Sequence, residues 1–236
     1  MLPISRISKD PLVRQAELID AAEELFLAAG YQNTMIQDIV KKVGVAQGTF
    51  YYYFASKDAV LEAIFTKHFQ NMLAEIKSYH QNHVPALKQL NLFINLFYKL
   101  SYSGKPGLLA KILYKEKQGL LINQLWRKTQ MISIPSLIPI LERCNQEGVT
   151  HVQHMEETLA FFLGIIASLL EASSPLIHGH ESNPEVVSRK IRIAEKMLDT
   201  LFSAPSGSIR FQMVDLPFSA AEECSGTAKS TLEIIK

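Results

Sequence analysis

The chain has little of what several classes of protein need. Its 236 residues contain two cysteines, Cys144 and Cys224, which are too few and too far apart for a disulfide framework or a zinc site. Neither charge dominates, because 24 lysines and arginines oppose 23 aspartates and glutamates, so any nucleic-acid-binding surface must be local. The longest apolar run, residues 159–170, is shorter than the ~20 residues of a membrane span. Because the N-terminus also lacks a signal-peptide core, we expect a soluble cytoplasmic protein.

Signatures of catalysis and of cofactor binding are also missing. The sequence shows no strand–helix alternation, no glycine-rich phosphate loop and no nucleophile elbow. The histidine pairs His151 with His154 and His178 with His180 come without cysteines or carboxylates at metal-site spacing, which favours surface or loop histidines. We therefore expect no enzyme activity, no metal site and no cofactor.

The most informative stretch is residues 34–61, whose pattern predicts a short helix, a tight turn, a second short helix and the start of a third. Thr34 and Gln37, three residues apart, predict a capping box at the first helix. Gly44 predicts the positive φ of a sharp turn between the helices. Ser56 predicts the N-cap of the third helix.

The second helix, at about residues 47–53, carries the functional signal. Phe50 and Phe54 share a helix face that must be buried, which leaves Gly48, Tyr51 and Tyr52 on the opposite face. A helix in a DNA major groove suits this arrangement, because glycine permits close backbone approach and tyrosine hydroxyls bind phosphate. An ordinary pair of packed helices is the alternative, and it requires the tyrosines to pack elsewhere on the protein.

The residues of this stretch also follow an ordered pattern. The pattern consists of Thr34, Asp38-Ile39, Gly44-Val45, Gly48-Thr49-Phe50-Tyr51, Tyr53-Phe54, and Ser56-Lys57-Asp58 with Leu61. It resembles, without a gap, the tetracycline-repressor (TetR) family of bacterial regulators, and residues 14–31 resemble the family's first helix. Val40 and Val43 depart from the family's small residues. Ala46 replaces its usual serine, which removes a helix cap worth about 1 kcal/mol and a phosphate donor.

The resemblance implies a ligand-responsive repressor that acts as a homodimer on a near-palindromic operator. Two recognition helices would occupy successive major grooves about 34 Å apart. The residues expected to contact base edges are Gln47, Gly48 and Thr49. Those expected to contact phosphates are Thr34, Tyr51, Tyr52, Tyr53 and Lys57.

The remainder of the chain predicts helices as far as residue 203. Further helices are predicted at residues 57–79, 86–101, 108–114, 119–128, 134–146, 155–173 and 184–202. We therefore predict an all-α protein with a DNA-binding domain at residues 11–70 (helix-turn-helix at about 34–54), a helical regulatory and dimerisation domain at 71–203, and an irregular tail at 204–236. The tail is either an appendage or a strap over the regulatory domain.

Two kinds of site are expected in the regulatory domain. Its large apolar residues suit a pocket for an apolar or amphipathic ligand, although each would equally suit an ordinary core. The predicted pocket residues are Leu96, Phe97, Leu113, Tyr114, Leu125, Trp126 and Phe162. The last two helices are apolar on more than one face, which favours a four-helix interface with a second copy over a larger monomer core. The predicted interface residues are Gly164, Ala167, Ser168, Ile191, Ala194 and Leu198.

An alternative function is a helical dimeric regulator that acts through a protein partner, with DNA binding lost or secondary. Ala46, the near-neutral charge and the unusual tail support this alternative. The salt dependence of operator binding distinguishes the two hypotheses, because each neutralised phosphate adds about −0.9 to the slope of log affinity against log salt.

Overall fold

The structure, a computed structural model, describes residues 10–80, 84–102, 104–173 and 184–211. These residues form nine helices and no strand, which confirms the predicted all-α fold. The helices are α1 (Pro11–Ala29), α2 (Ile36–Val43), α3 (Gln47–Tyr53), α4 (Lys57–His80), α5 (Ala86–Tyr102), α6 (Lys105–Lys115), α7 (Gly119–Gln146), α8 (Met155–Ser173) and α9 (Pro184–Leu201). None of these helices is both long and apolar enough to cross a membrane. The predicted loop histidines His178 and His180 lie outside the described residues.

Helices α1, α2 and α3 form a small N-terminal unit. Helix α1 begins after Asp10, whose carboxylate accepts a hydrogen bond from the Leu12 amide at 2.8 Å. Helix α2 ends at Val43 and is capped by Gly44, whose φ of 75° lies in the left-handed region that favours glycine. The following amide, that of Val45, donates to the Val40 carbonyl at 3.0 Å. The predicted turn at Gly44 is therefore confirmed.

The predicted capping box of Thr34 and Gln37 is wrong. Helix α2 begins two residues after Thr34, and the Asp38 carboxylate accepts a hydrogen bond from the Met35 amide at 2.8 Å. The Thr34 side chain turns inward: the residue is 2% exposed, and its hydroxyl donates to the Gly30 carbonyl at 2.8 Å. A carboxylate accepts a hydrogen bond from a backbone amide more strongly than a hydroxyl oxygen does. Asp38 reaches the Met35 amide, and the helix therefore begins directly after Met35.

Helix α4 joins the two parts of the molecule, as the apolar period predicts. Ser56 caps it, because its hydroxyl accepts a hydrogen bond from the Ala59 amide at 3.1 Å. Near its start, Leu61 and Ile64 are fully buried, and further along Phe69 contacts Phe97 of α5 with ring centroids 5.4 Å apart. One helix therefore contributes to the packing of the N-terminal unit and of the later helices.

Helix α7 corrects a second prediction. The sequence predicts separate helices at residues 119–128 and 134–146, but the structure forms one helix through Pro135 and Pro139. Each proline removes one amide from the helical hydrogen bonds. The buried face of α7 favours one continuous helix, because Leu137 and Leu141, on either side of Pro139, are fully buried there. Packing against α5 and α8 thus outweighs the cost of two missing hydrogen bonds.

Residues 204–211 form a strap that is bonded to α5 and α9. Asp199, near the end of α9, is buried, and its carboxylate accepts hydrogen bonds from the amides of Gly207 and Ile209 at 2.7 and 2.8 Å. Asn91 of α5 accepts from the Arg210 amide at 2.9 Å and donates to the Ser208 carbonyl at 2.8 Å. Of the two predictions for the tail, an appendage or a strap, residues 204–211 fit the strap. The tail from residue 212 lies outside the described part of the chain.

Candidate nucleic-acid interface

Helix α3 has one buried and one exposed face. Phe50 is 0% exposed and contacts Phe54 with ring centroids 5.7 Å apart, so this face closes the core of the N-terminal unit. On the opposite face Tyr51 and Tyr52 are exposed, with Tyr52 at 78%. The structure thus confirms the inside and outside faces that the sequence predicts, and it leaves two large aromatic rings in contact with water.

Gly48 lies on the same exposed face as the tyrosines. A Cβ added at this position would meet no atom within 4 Å, so the packing of the described residues does not require glycine here. Glycine in a helix is destabilising by roughly 0.5–1 kcal/mol relative to alanine. A position that carries this cost without an internal reason is consistent with close approach by an external partner.

The other predicted contact residues divide by exposure. Gln47 is exposed, whereas Thr49 and Tyr53 are half-buried. The Tyr53 ring meets the Tyr52 ring edge to face, with centroids 4.9 Å apart. Thr34 is buried and its hydroxyl is already bonded within the protein. The exposed face of α3 therefore brings together Gln47, Gly48, Tyr51 and Tyr52, and it excludes the Thr34 side chain.

Lys57 has an internal role in addition to the phosphate contact predicted for it. Its ammonium donates to the carbonyls of Tyr31 and Thr34 at 2.7 and 2.9 Å, and it lies 4.3 Å from the centre of the Tyr31 ring. Burial lowers the pKa of Lys57, while the nearby Glu116 and Asp58 carboxylates partly oppose this effect. Lys57 therefore stabilises the turn between α1 and α2, and its contact with phosphate stays a prediction.

Helix α2 carries two basic side chains that the sequence analysis did not select. Lys42 forms an ion pair with Glu24 at 2.6 Å, whereas no described carboxylate pairs with the exposed Lys41. The sequence signal was the pair of lysines before Gly44. Because lysines in a last turn also suit the helix dipole, that signal alone did not indicate DNA contact.

The N-terminal unit contacts both ends of α6. At one end, the Lys105 ammonium lies 3.0 Å from the buried Glu23 carboxylate of α1, which also contacts the His68 ring of α4. At the other end, the Glu116 carboxylate accepts from the Gln32 amide at 3.0 Å. Burial alone would raise the pKa of Glu23, but its bonds to His68 and Lys105 hold it below the usual value.

A cavity of about 260 Å³ lies between α4, α5, α6, α7 and α8. Four of the seven residues predicted for the pocket line it, namely Leu113, Tyr114, Leu125 and Trp126. The other three do not, because they pack into the core: Phe97 of α5 and Phe162 of α8 are fully buried, and Leu96 of α5 packs half-buried against the core. The sequence analysis missed Lys111 and Tyr102, which also line the cavity. Among the described residues, no cluster of three metal-ligating side chains occurs.

The predicted dimer residues fall in two different environments. On α8, Gly164 and Ser168 are exposed, and Ala167 lines the cavity. On α9, by contrast, Ile191, Ala194 and Leu198 are buried in the core of the chain itself. The exposed large apolar residues of these two helices are Phe161, Ile193 and Met197. The interface prediction therefore needs correction on α9, where the apolar stripe that faces inward was taken for the one that faces outward.

Comparison with known proteins agrees with this geometry. The family model described as bacterial regulatory proteins, tetR family, matches residues 18–64. The HTH-type transcriptional regulator YvdT of Bacillus subtilis is 44% identical over 61 residues, which are 26% of this chain and 31% of the relative. The fatty acid metabolism regulator protein of the same species is 30% identical over 84 residues, 36% of this chain and 43% of the relative. The chain thus spans less than half the length of these curated relatives in the matched region.

The solved structure of RolR in complex with its ligand resorcinol covers 84% of this chain and 90% of its own, with a TM-score of 0.60. Its 13% identity shows a shared fold alone. The family model matches only residues 18–64, whereas the similarity of fold to RolR covers most of the chain. Over residues 18–64 the N-terminal part of the chain is similar to the tetR family of bacterial regulatory proteins.

Proposed function

We propose that the protein is a transcriptional repressor that binds a near-palindromic operator as a homodimer and responds to a small molecule. The observation that carries this proposal is the exposed face of α3, where Gly48, Tyr51 and Tyr52 lie opposite the buried Phe50. Gln47, Gly48 and Thr49 are the candidates for base edges, and Tyr51, Tyr52, Tyr53 and Lys57 for phosphates. The Thr34 backbone, with its carbonyl bound to Lys57, positions this face.

Dimerisation is supported by the exposed apolar side chains of α8 and α9. Phe161 is 68% exposed, and Ile193 and Met197 are half exposed, beside the small exposed residues Gly164 and Ser168. Large apolar side chains exposed to water are a mark of association surfaces, and small residues let a second helix approach closely. We place the two-fold axis at this surface, with two α3 helices separated by about one turn of DNA, ~34 Å.

Helix α6 offers a physical route from ligand to DNA. Its middle lines the cavity through Leu113, and its ends contact the N-terminal unit through Lys105 and Glu116. A ligand that shifts α6 therefore changes the position of α1 and, with it, of α3. To act as an inducer, the ligand must bind the DNA-free arrangement more tightly, by the same free energy that it removes from operator binding.

The relatives are consistent with a small effector. One curated relative is named for fatty acid metabolism, and the structure of RolR contains resorcinol. Both names concern small molecules with substantial apolar surface, and we propose an effector of that kind for the cavity bounded by Leu125 and Trp126.

The test is selection of bound duplexes from a random pool with the full-length protein, followed by fluorescence anisotropy. We expect enriched sites with two inverted halves about one helical turn apart and affinity that falls steeply with salt. Tyr52→Ala should weaken binding about tenfold or more, while Met131→Ala, a control at an exposed residue of α7, should not. A pool without enrichment, or affinity that is independent of salt, would favour action through a protein partner.

A further inference from the structure

The cavity in the regulatory domain contains a single basic side chain among apolar walls. Lys111 of α6 is half-buried at the cavity, and its ammonium lies 4.9 Å from the centre of the Tyr102 ring. Among the described residues no carboxylate pairs with Lys111, in contrast to Lys105 on the same helix, which is paired with Glu23. Burial lowers the pKa of Lys111, and no opposing charge restores it.

A cation in such a place is incompletely compensated. The face of one aromatic ring offsets part of the lost hydration, but it leaves the remaining N–H donors of the ammonium without a strong acceptor. An unpaired charge in apolar surroundings is unfavourable, and a carboxylate is the partner that satisfies it best. The geometry therefore leaves a position for an anion beside Lys111.

The rest of the wall limits the remainder of the ligand. Aromatic and aliphatic side chains dominate it, among them Phe65, Phe69 and Trp126. One polar member, Thr129, already donates its hydroxyl to the Leu125 carbonyl at 3.0 Å. The cavity volume of about 260 Å³ suits a small organic molecule.

We propose that the cavity binds a small amphipathic monocarboxylate, with its carboxylate paired to the Lys111 ammonium and its apolar part against Trp126 and Phe65. The inference rests on the proposed function, because it names the chemical class of that effector. A single cation matches a single negative charge, so a dianion would leave one charge buried without a partner. The ion pair would also join the ligand to α6, the helix whose two ends contact the N-terminal unit.

The test compares matched acids and neutral analogues by isothermal titration calorimetry on the full-length protein. Octanoate is compared with octan-1-ol and octanamide, and 4-phenylbutyrate with 4-phenylbutan-1-ol. The variants are Lys111→Met, which keeps the length and removes the charge, and Lys111→Arg, which keeps the charge. Lys115→Met is the control, because it removes an exposed lysine of the same helix.

We expect at least one of the two acids to bind the parent about tenfold or more tightly than its neutral analogue. That preference should disappear in Lys111→Met, persist in Lys111→Arg and be unchanged in Lys115→Met. Equal binding of acid and alcohol by the parent overturns the proposal, as does undiminished acid binding by Lys111→Met. Failure of both acids to bind at millimolar concentration also overturns it. The acid–alcohol comparison in the parent remains decisive if Lys111→Met does not fold.

Operator binding without ligand is measured on the same preparations. If the parent protein binds no operator in the absence of ligand, the proposed function is contradicted, whichever acid it binds. Retained operator binding with no acid preference would contradict only the ligand class. The two failures are therefore distinguishable.

Discussion

The exposed face of α3 and the cavity of the regulatory domain contain opposite kinds of unsatisfied groups. On α3, aromatic rings such as that of Tyr52 contact water, where their apolar surface gains nothing. In the cavity, the Lys111 ammonium contacts apolar walls, where its charge gains little. Each arrangement is unfavourable in the free protein and is relieved by a partner of complementary chemistry. The proposed partners differ accordingly: DNA, whose phosphates the tyrosine hydroxyls would bind, for the first site and a small amphipathic molecule for the second.

The largest effect should separate the two faces of α3. Phe50→Ala should lower the free energy of unfolding by about 3–5 kcal/mol, because it empties a fully buried position. Tyr52→Ala, on the exposed face, should leave the urea midpoint nearly unchanged while weakening operator binding. Equal losses of stability in the two variants would show that α3 has no free face.

A smaller effect should separate two lysines of the N-terminal unit. Lys57→Met should destabilise the protein by about 2 kcal/mol, because it removes charged hydrogen bonds to the Tyr31 and Thr34 carbonyls. Lys41→Met should leave stability unchanged and reduce the salt slope of operator binding by about 0.9 if Lys41 contacts a phosphate. Denaturant titration and anisotropy measure both, and a Lys57→Met protein of parental stability would contradict the internal role.

Two glycines sharpen the comparison of the sites. Gly48→Ala should raise the free energy of unfolding by roughly 0.5–1 kcal/mol, since the new methyl group meets nothing, while it weakens operator binding. Gly107→Ala, at the cavity, should instead destabilise by about 1–3 kcal/mol, because its Cβ would lie 2.5 Å from the Ser101 carbonyl oxygen. Thermal unfolding should show a higher midpoint for Gly48→Ala and a lower one for Gly107→Ala. Unimpaired operator binding by Gly48→Ala would contradict close approach of DNA to α3.

The smallest effect concerns pH at the joint between the two domains. Since the pKa of Glu23 is lowered below its usual 4.5, the protonated state is favoured more in the unfolded chain than in the folded one. The resulting stabilisation is present at neutral pH and is lost as the pH falls below that value towards the folded pKa. Glu23→Gln should therefore reduce the difference in urea midpoint between pH 7 and pH 4. An unchanged difference would show that the contacts of Glu23 with His68 and Lys105 contribute nothing.

Local patterns predicted much of the fold and of the exposed face proposed to bind DNA. The spacing of Phe50 and Phe54 identified the buried side of α3, and Gly44 identified the turn before it. Thr34 was misassigned because Asp38, four residues later, competes for the same helix start. Two candidates inside one turn differ by about the energy of one hydrogen bond, which sequence patterns do not resolve.

Features that depend on tertiary packing were beyond the sequence. Helix α9 carries apolar residues on more than one face, so its sequence does not show whether Ile191 or Ile193 faces inward. The packing of α9 against α8 decides this, and it buries Ile191. Lys111 was overlooked because a lysine in an amphipathic helix usually belongs to the solvated side. Its place in a cavity is set by the contact of α6 with α5, which includes the close approach at Gly107.

The most direct measurement is amide hydrogen exchange of the full-length protein with and without a duplex selected from a random pool. The account predicts slower exchange over residues 47–53 on binding, because DNA would cover the exposed face of α3 in each protomer. It predicts no comparable change at Met131, on an exposed part of α7. Unchanged exchange over residues 47–53 in a saturated complex would contradict the claim that this face reads DNA.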